Sequence, residues 1–132
     1  MILVDSSVWI EFFTNPKSDA GARLRSIIEE NNQACLCGIV LQEVLQGIRT
    51  DRQYRVVRDS LSRLPFVLTN RETYELAASM YRSLRRRGIT VPTVDATLAA
   101  VAIQNGLDLY TFDEHFDEIA RHTRLSLFGR SP

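Results

Sequence analysis

The apolar residues of this chain fall into short unbroken runs separated by longer stretches of helical periodicity. Ile2, Leu3 and Val4 form the first run and end at Asp5, with Ser6 and Ser7 next. A brief β-branched-rich run stopped by Asp-Ser predicts a buried strand over 2–5 that hands over to a helix over 7–13. Asn15-Pro16 breaks that helix. Beyond it, Ala20, Leu24, Ile27 and Ile28 recur at helical spacing among Arg23, Arg25, Glu29 and Glu30. This predicts an amphipathic helix over 17–30, ended by Asn31-Asn32. Residues 34–37 are a compact apolar run, read as a second strand, with Gly38 as a turn. A helix over 39–48 follows, with Leu41, Val44, Leu45 and Ile48 as its apolar stripe. Glu43 lies at the edge of that stripe, and Gly47, four residues later, leaves room for another backbone.

The second half continues the alternation. Asp51 is the expected cap of a helix over 52–62 that buries Val56, Val57 and Leu61. Phe66, Val67 and Leu68 read as a brief edge strand or an extended connection. Thr69 or Asn70 caps the next helix, with Glu72 as a capping-box partner for Thr69. Ala77, Met80, Tyr81 and Leu84 form its stripe, and it closes on Arg82, Arg85, Arg86, Arg87 and Gly88. A helix over 94–105 is rich in Ala96, Ala99, Ala100 and Ala102, and Asn105-Gly106 stops it. The run LDLYT at 107–111 predicts a third strand. A further helical turn with His115, Phe116 and Ile119, an edge strand at Leu125, Leu127 and Phe128, and a loose tail over 129–132 complete the pattern. Strands that alternate with helices and read as continuous apolar runs predict an α/β fold whose parallel sheet is covered on both faces. No linker or repeat divides the chain, so 1–132 reads as a single domain.

Composition narrows the class. The chain has 132 residues, 45% of them hydrophobic, enough for one real core. Formal net charge is zero, so there is no global basic signature of nucleic-acid binding; charge split between faces stays compatible with it. Lys17 is the one lysine and the other cationic side chains are Arg, which suits bidentate contact with carboxylate or phosphate. Cys35 and Cys37 point to opposite faces of their strand and read as small buried residues in a reducing compartment. With His115 and His122 they make no conventional zinc set. Asp5 and Glu11 interrupt the opening apolar run, and no window approaches eighteen uncharged apolar residues. A soluble, cytoplasmic protein with no membrane span is expected.

The chemistry enters through the acidic residues. Asp5 ends the first strand, and Asp113 follows LDLYT after one residue, Phe112. Glu43 falls in the first two turns of the helix after the second strand, and Asp95 opens the alanine-rich helix. Parallel topology brings strand C-termini to one edge, where open α/β sheets bind ligands. Two readings stand. These residues are helix-terminal anions and caps that never meet. Alternatively they share one crevice and, with no Lys or Arg among them, need protons or a counter-ion. Hard divalent ions take oxygen ligands, and the chemistry implied is metal-assisted phosphodiester hydrolysis. The arginine cluster at 82–87 likewise reads either as a helix-end complement to the dipole or as a phosphate- or partner-contacting patch.

The ordered pieces VDSSVWIEFF at 4–13, LQEVLQG at 41–47, VDATLAA at 94–100 and LYTFDEHFDEI at 109–119 resemble PIN-domain ribonucleases. They are similar in particular to VapC-type toxins of type II toxin–antitoxin pairs. The resemblance spans essentially the whole chain. It implies a PIN-like three-layer α/β/α fold with a mostly parallel sheet of four to five strands. It maps the family's acidic positions onto Asp5, Glu43, Asp95 and Asp113, none of them substituted, and its hydroxyl positions onto Ser6 and Thr111. Asp5 and Asp95 would be the central ligands of Mg²⁺, with Mn²⁺ able to replace it. Glu43 and Asp113 would contribute directly or through water, and Ser6 and Thr111 would steady the carboxylates.

The implied activity is endonucleolytic hydrolysis of RNA, structured RNA such as transfer RNA among the targets, leaving a 5′-phosphate and a 3′-hydroxyl. Arg49, Arg52, Arg82, Arg85, Arg86 and Arg87 are candidate RNA contacts. The implied partners are a cognate VapB-type antitoxin and a second copy of the chain, within a homodimer or a larger toxin–antitoxin assembly. Phe12, Phe13 and Leu45 are candidate dimer contacts or core. Trp9 and Tyr110 read as core aromatics, Asp117 as a solvated surface residue, and His115 as a packing or RNA-edge residue on the opposite side of its helical turn. The alternatives are a PIN-like nuclease acting on DNA flaps or ribosomal-RNA precursors, and a non-catalytic acidic-groove binding module.

Overall fold

The structure, a computed structural model, describes residues 1–31 and 33–130. Asn32, half of the expected Asn31-Asn32 helix stop, lies outside the described residues, as do Ser131 and Pro132 of the expected tail. Four strands, β1 (Ile2–Val4), β2 (Ala34–Cys37), β3 (Phe66–Val67) and β4 (Asp108–Tyr110), form one sheet in the order β3-β2-β1-β4. All three pairings are parallel, with Leu3 opposite Cys35 on one side and Leu109 on the other. β1 and β2 are buried along their whole length, which is why they read as unbroken apolar runs rather than alternators. β3 is the outer edge, and its Phe66 is half exposed. The last apolar piece adds no strand. Leu127 makes a single parallel bridge to Leu109, held by bonds through Ser126 and Phe128.

Among the described residues, seven α-helices flank the sheet: α1 (Ser6–Thr14), α2 (Asp19–Ser26), α3 (Gly38–Gln46), α4 (Asp51–Leu61), α5 (Arg71–Arg86), α6 (Thr93–Gln104) and α7 (His115–His122). α1 packs on α2 and α3, and α6 on α5 and α7. α6 is buried over Leu98–Ala102 on every side, so its alanines let it lie close against its neighbours. Trp9, Phe116, Leu3 and Leu109 anchor the core, and Tyr110 joins them, as expected.

Several local expectations shift. The helix expected over 17–30 starts at Asp19, capped by the Ser18 hydroxyl, and widens into a π-helical turn over Ile27–Asn31. Thr50, not Asp51, caps α4 by accepting from the Gln53 N–H. Val56 is exposed and α4 buries Val57 and Leu61 instead. Asn70 caps α5 and its box partner is Thr73, not Glu72. Gly38 is the first residue of α3 rather than a turn. Gly47 has only its own helix's Glu43 and Val44 carbonyls, at 3.8 Å, near where a Cβ would stand, so no foreign backbone uses its space. Leu45 is core rather than an exposed contact, while Phe12 and Phe13 pack with Trp9 in one aromatic cluster. α5 ends as read: Gly88, at φ 81, returns its N–H to the Arg85 carbonyl, and Ile89 returns its own to Leu84.

Candidate active site

The acidic residues meet at the C-terminal edge of the sheet because parallel pairing carries every strand to the same rim. The Asp5 N–H extends the β1–β4 ladder by one bond to the Tyr110 carbonyl, and the chain turns there into α1. Asp5 is the N-cap residue by backbone, but its side chain makes no capping bond. The carboxylate is buried and held elsewhere. Its Oδ2 accepts from the Ser7 hydroxyl at 2.9 Å and the Thr111 hydroxyl at 2.8 Å. Its Oδ1 lies 3.5 Å from the Ser6 oxygen, which is also 3.3 Å from Glu43 Oε1. Ser6 has one proton to donate, so it serves Asp5 or Glu43 in turn and ties α1 to α3.

Thr111 links the other side. While donating to Asp5 it accepts the Asp113 N–H at 3.0 Å. Asp113 Oδ1 then accepts the His115 N–H at 2.9 Å, closing the first turn of α7, where Glu114 makes no side-chain cap. The His115 ring returns into the site: its Nδ1 is 3.2 Å from Asp113 Oδ1 and 3.5 Å from Asp95 Oδ2. Asp95 sits in the first turn of α6. Its Oδ2 is buried and has no hydrogen-bond donor, a costly state for a carboxylate oxygen. Arg130 bridges the rim from outside, pairing with Asp117 of α7 and donating to the Thr111 carbonyl at 3.3 Å.

The electrostatics follow from this crowding. Burial pushes Asp95 up from 3.8 to about 6, helped by the charges of Asp113, Asp5 and Glu43 and opposed by His115. Glu43 is raised by burial and then by Asp5, with the Ser6 hydroxyl acting against both. Among the described residues, neither Lys nor Arg pairs with any of these four carboxylates. Asp95, Asp113 and His115 each offer a ligand atom, all within 4.8 Å of one another. An orphaned carboxylate oxygen among uncompensated oxygen donors is chemistry that fits a divalent cation.

The structure thus brings Asp5, Glu43, Asp95, Asp113, Ser6 and Thr111 together. Two residues at the centre were not in the expected set. Ser7 holds Asp5 Oδ2 and accepts the Phe112 N–H at 3.2 Å. His115 faces Asp95 and Asp113 instead of standing on the far side of its turn. Asp117 is not free in solvent but paired with Arg130. Of the candidate RNA contacts, Arg82 lines a groove between α5 and α6 with Tyr81, Thr93 and Ala96, beside the turn that carries Asp95. Arg49 lines an apolar groove with Ile10, Phe13, Val44 and Ile48. Arg52, Arg85, Arg86 and Arg87 are exposed.

The PIN domain family model matches residues 2–122. The VapC11 ribonuclease of Mycobacterium tuberculosis and the VapC ribonuclease Mb1587 of Mycobacterium bovis are each 34% identical over 128 residues, 95% of this chain and 96% of theirs. Among solved structures, VapBC2 from Rickettsia felis, bound to a DNA fragment from its promoter, superposes with a TM-score of 0.79 at 22% identity, covering 96% of this chain and 97% of that one. Mycobacterium tuberculosis VapC20, described as a sarcin–ricin-loop-cleaving toxin, superposes at 0.67 with 20% identity, over 92% and 95% of the two chains. No helix among the described residues is long and apolar enough to cross a membrane. With its rim of carboxylates and near-full-length kinship to the mycobacterial proteins, this chain belongs to the PIN-domain family, in its VapC group.

Proposed function

We propose that this chain is a Mg²⁺-dependent endoribonuclease, the toxin of a toxin–antitoxin pair. It hydrolyses structured RNA such as transfer RNA to a 5′-phosphate and a 3′-hydroxyl. The observation that carries the reading is the buried, donorless Asp95 Oδ2 within a set of carboxylates that no Lys or Arg neutralises. Asp5 and Asp95 are the residues that hold the ion, with Glu43 and Asp113 contributing directly or through water. A divalent ion there supplies positive charge for the scissile phosphate and makes water a better nucleophile. Ser7 and Thr111 fix the Asp5 carboxylate through one oxygen and leave the other facing Ser6 and Glu43. Glu43, raised in pKa, sits where it can orient water and accept its proton. Arg82 in the α5–α6 groove, Arg49 in the groove beside α1, and the exposed Arg52, Arg85, Arg86 and Arg87 are the candidates to take RNA phosphates. RNA loops are engaged through phosphate and shape, so a chain of zero net charge needs only a local arginine surface.

The mycobacterial relatives are named as ribonucleases and the solved neighbours include VapBC complexes, which supports a cognate VapB-type antitoxin; the reading further takes the toxin as a homodimer in the cytoplasm. The test is cleavage of a substrate panel containing transfer RNA, a sarcin–ricin loop hairpin, a ribosomal-RNA precursor and a DNA flap. RNA cleavage that requires Mg²⁺, stops with EDTA and disappears in Asp5→Asn is expected. Cleavage undiminished in Asp5→Asn, or confined to the DNA flap, would sink the proposal.

A further inference from the structure

His115 is an exposed side chain, 64% accessible, yet its ring is turned inward to the acidic centre rather than out to solvent. Nδ1 stands 3.2 Å from one Asp113 oxygen and 3.5 Å from the buried Asp95 oxygen. Neither approach is a well-formed hydrogen bond, and Asp95 Oδ2 has no donor at all. Three atoms able to ligate a cation, from two elements and a connecting segment, therefore converge within 4.8 Å of one another; a protonated ring pairs with the two carboxylates, and a cation that displaces that proton would take its place among them. Two backbone anchors hold the convergence in place. The Asp113 N–H is fixed by Thr111, and the His115 N–H is fixed by Asp113. Core packing does not explain the ring, because its neighbour Phe116 supplies the buried contact of this turn.

Carboxylate oxygens alone suit Mg²⁺, which takes oxygen ligands and keeps much of its water. An imidazole nitrogen adds little for Mg²⁺ but strengthens binding of first-row transition ions. We propose that His115 is a direct metal ligand through Nδ1, and that it makes this centre bind a transition ion such as Mn²⁺ more tightly than Mg²⁺. The inference rests on the reading of the acidic rim as a cation site and assigns it a nitrogen donor and a selectivity. It concerns affinity and not which ion is more plentiful.

The test needs no RNA. Free Mn²⁺ is counted by electron paramagnetic resonance during titration of the full chain, and Mg²⁺ affinity is read by its competition against Mn²⁺. Visible absorption of the Co²⁺-loaded protein reports nitrogen ligation separately. His115→Asn and His115→Ala are compared with the wild type, and circular dichroism checks that both fold. In both variants Mn²⁺ affinity is expected to fall about tenfold or more while Mg²⁺ affinity changes by less than about twofold, and the Co²⁺ spectrum shifts toward all-oxygen ligation. Equal losses for both ions, or none, would show that His115 only positions Asp113 and would overturn its role as ligand. Asp95→Asn separates the two levels. If Asp95→Asn abolishes Mn²⁺ binding while the His115 variants keep it, the ligand role alone is lost. If Asp95→Asn binds Mn²⁺ as tightly as the wild type, the cation-site reading falls and this inference with it.

Discussion

Asp95→Asn should make the metal-free protein more stable while removing its activity. Asp95 is 13% exposed, and burial plus neighbouring carboxylates raise it from 3.8 to about 6. A carboxyl whose folded-state pKa is raised holds a proton, between those two values, that the unfolded chain has released. Acidification through that window therefore stabilises the fold, and above about 6 the ionised group opposes it. The rise corresponds to about 3 kcal/mol at neutral pH. The asparagine amide is itself left short of partners, which returns about 1–2 kcal/mol of that. A net gain of about 1–2 kcal/mol translates to a Tm increase of roughly 3–8 °C for a domain of this size. The assay is thermal or urea unfolding in EDTA, wild type against variant, at pH 7.5 and again near pH 4. The variant's advantage should be full at the higher pH and turn into a deficit of about 1 kcal/mol at the lower, where the acid is protonated and the amide's missing partners remain. Added Mg²⁺ should then reverse the order, since only the wild type gains binding energy, about 2.7 kcal/mol at a hundredfold excess over Kd. A variant less stable than wild type at pH 7.5 without metal, or an advantage independent of pH, would refute the electrostatic account.

Other consequences are open to direct measurement. Thr111→Val removes the donor to Asp5 Oδ2 and the acceptor of the Asp113 N–H together; urea unfolding should show a loss of about 2–3 kcal/mol, and Mn²⁺ affinity should fall with it. Cys35 and Cys37 are buried and free, and burial pushes Cys35 up to about 11 and Cys37 in the same direction. Both thiols should resist an aromatic disulfide reagent in the native state and react only at the rate of opening, a dependence that labelling across a urea series will show. Gly129→Ala puts a Cβ at φ 76 within 2.9 Å of the Arg23 guanidinium, which rests on Phe128 and Tyr110. The guanidinium can move aside, so calorimetry should register mostly the backbone strain, about 1–2 kcal/mol.

The architecture was legible where one residue type had one structural use. Ile2–Val4 and Ala34–Cys37 lie inside a parallel sheet, so the chain had to spell them as apolar runs, and Asp108–Tyr110 beside them buries Leu109 and Tyr110. The convergence of Asp5, Glu43, Asp95 and Asp113 follows from the same topology. What stayed hidden depended on rotation about a helix axis or on distant partners. Ser6 and Ser7 look alike in sequence, yet helix phase sends Ser6 toward Glu43 and Ser7 toward Thr111's side of Asp5. Val56 and Val57 are equally apolar, and only the seating of α4 decides that Val57 goes in. Thr50 and Asp51 can each cap a helix, and the backbone chose the threonine. His115 faces the rim, against the sequence expectation, because the bend at Asp113, made by two local hydrogen bonds, turns the start of α7 back over it. Asp117 reads as solvated until Arg130, thirteen residues later, comes back to it.

The central place of β1 in the sheet sets a timetable for the molecule. Asp5 is made well before its partners, since the hydroxyl that fixes its Oδ2 belongs to Thr111, 106 positions later. Asp95 and Asp113 are also supplied late, and β1 gains its second neighbour only when β4 has been made. Local helices such as α5 can form while synthesis continues, but the rim waits for the most distant pairing in the sheet. A half-made chain carries Asp5 and Glu43 without the rest. The growing polypeptide therefore assembles its carboxylate rim only once nearly all of the described chain is free to fold.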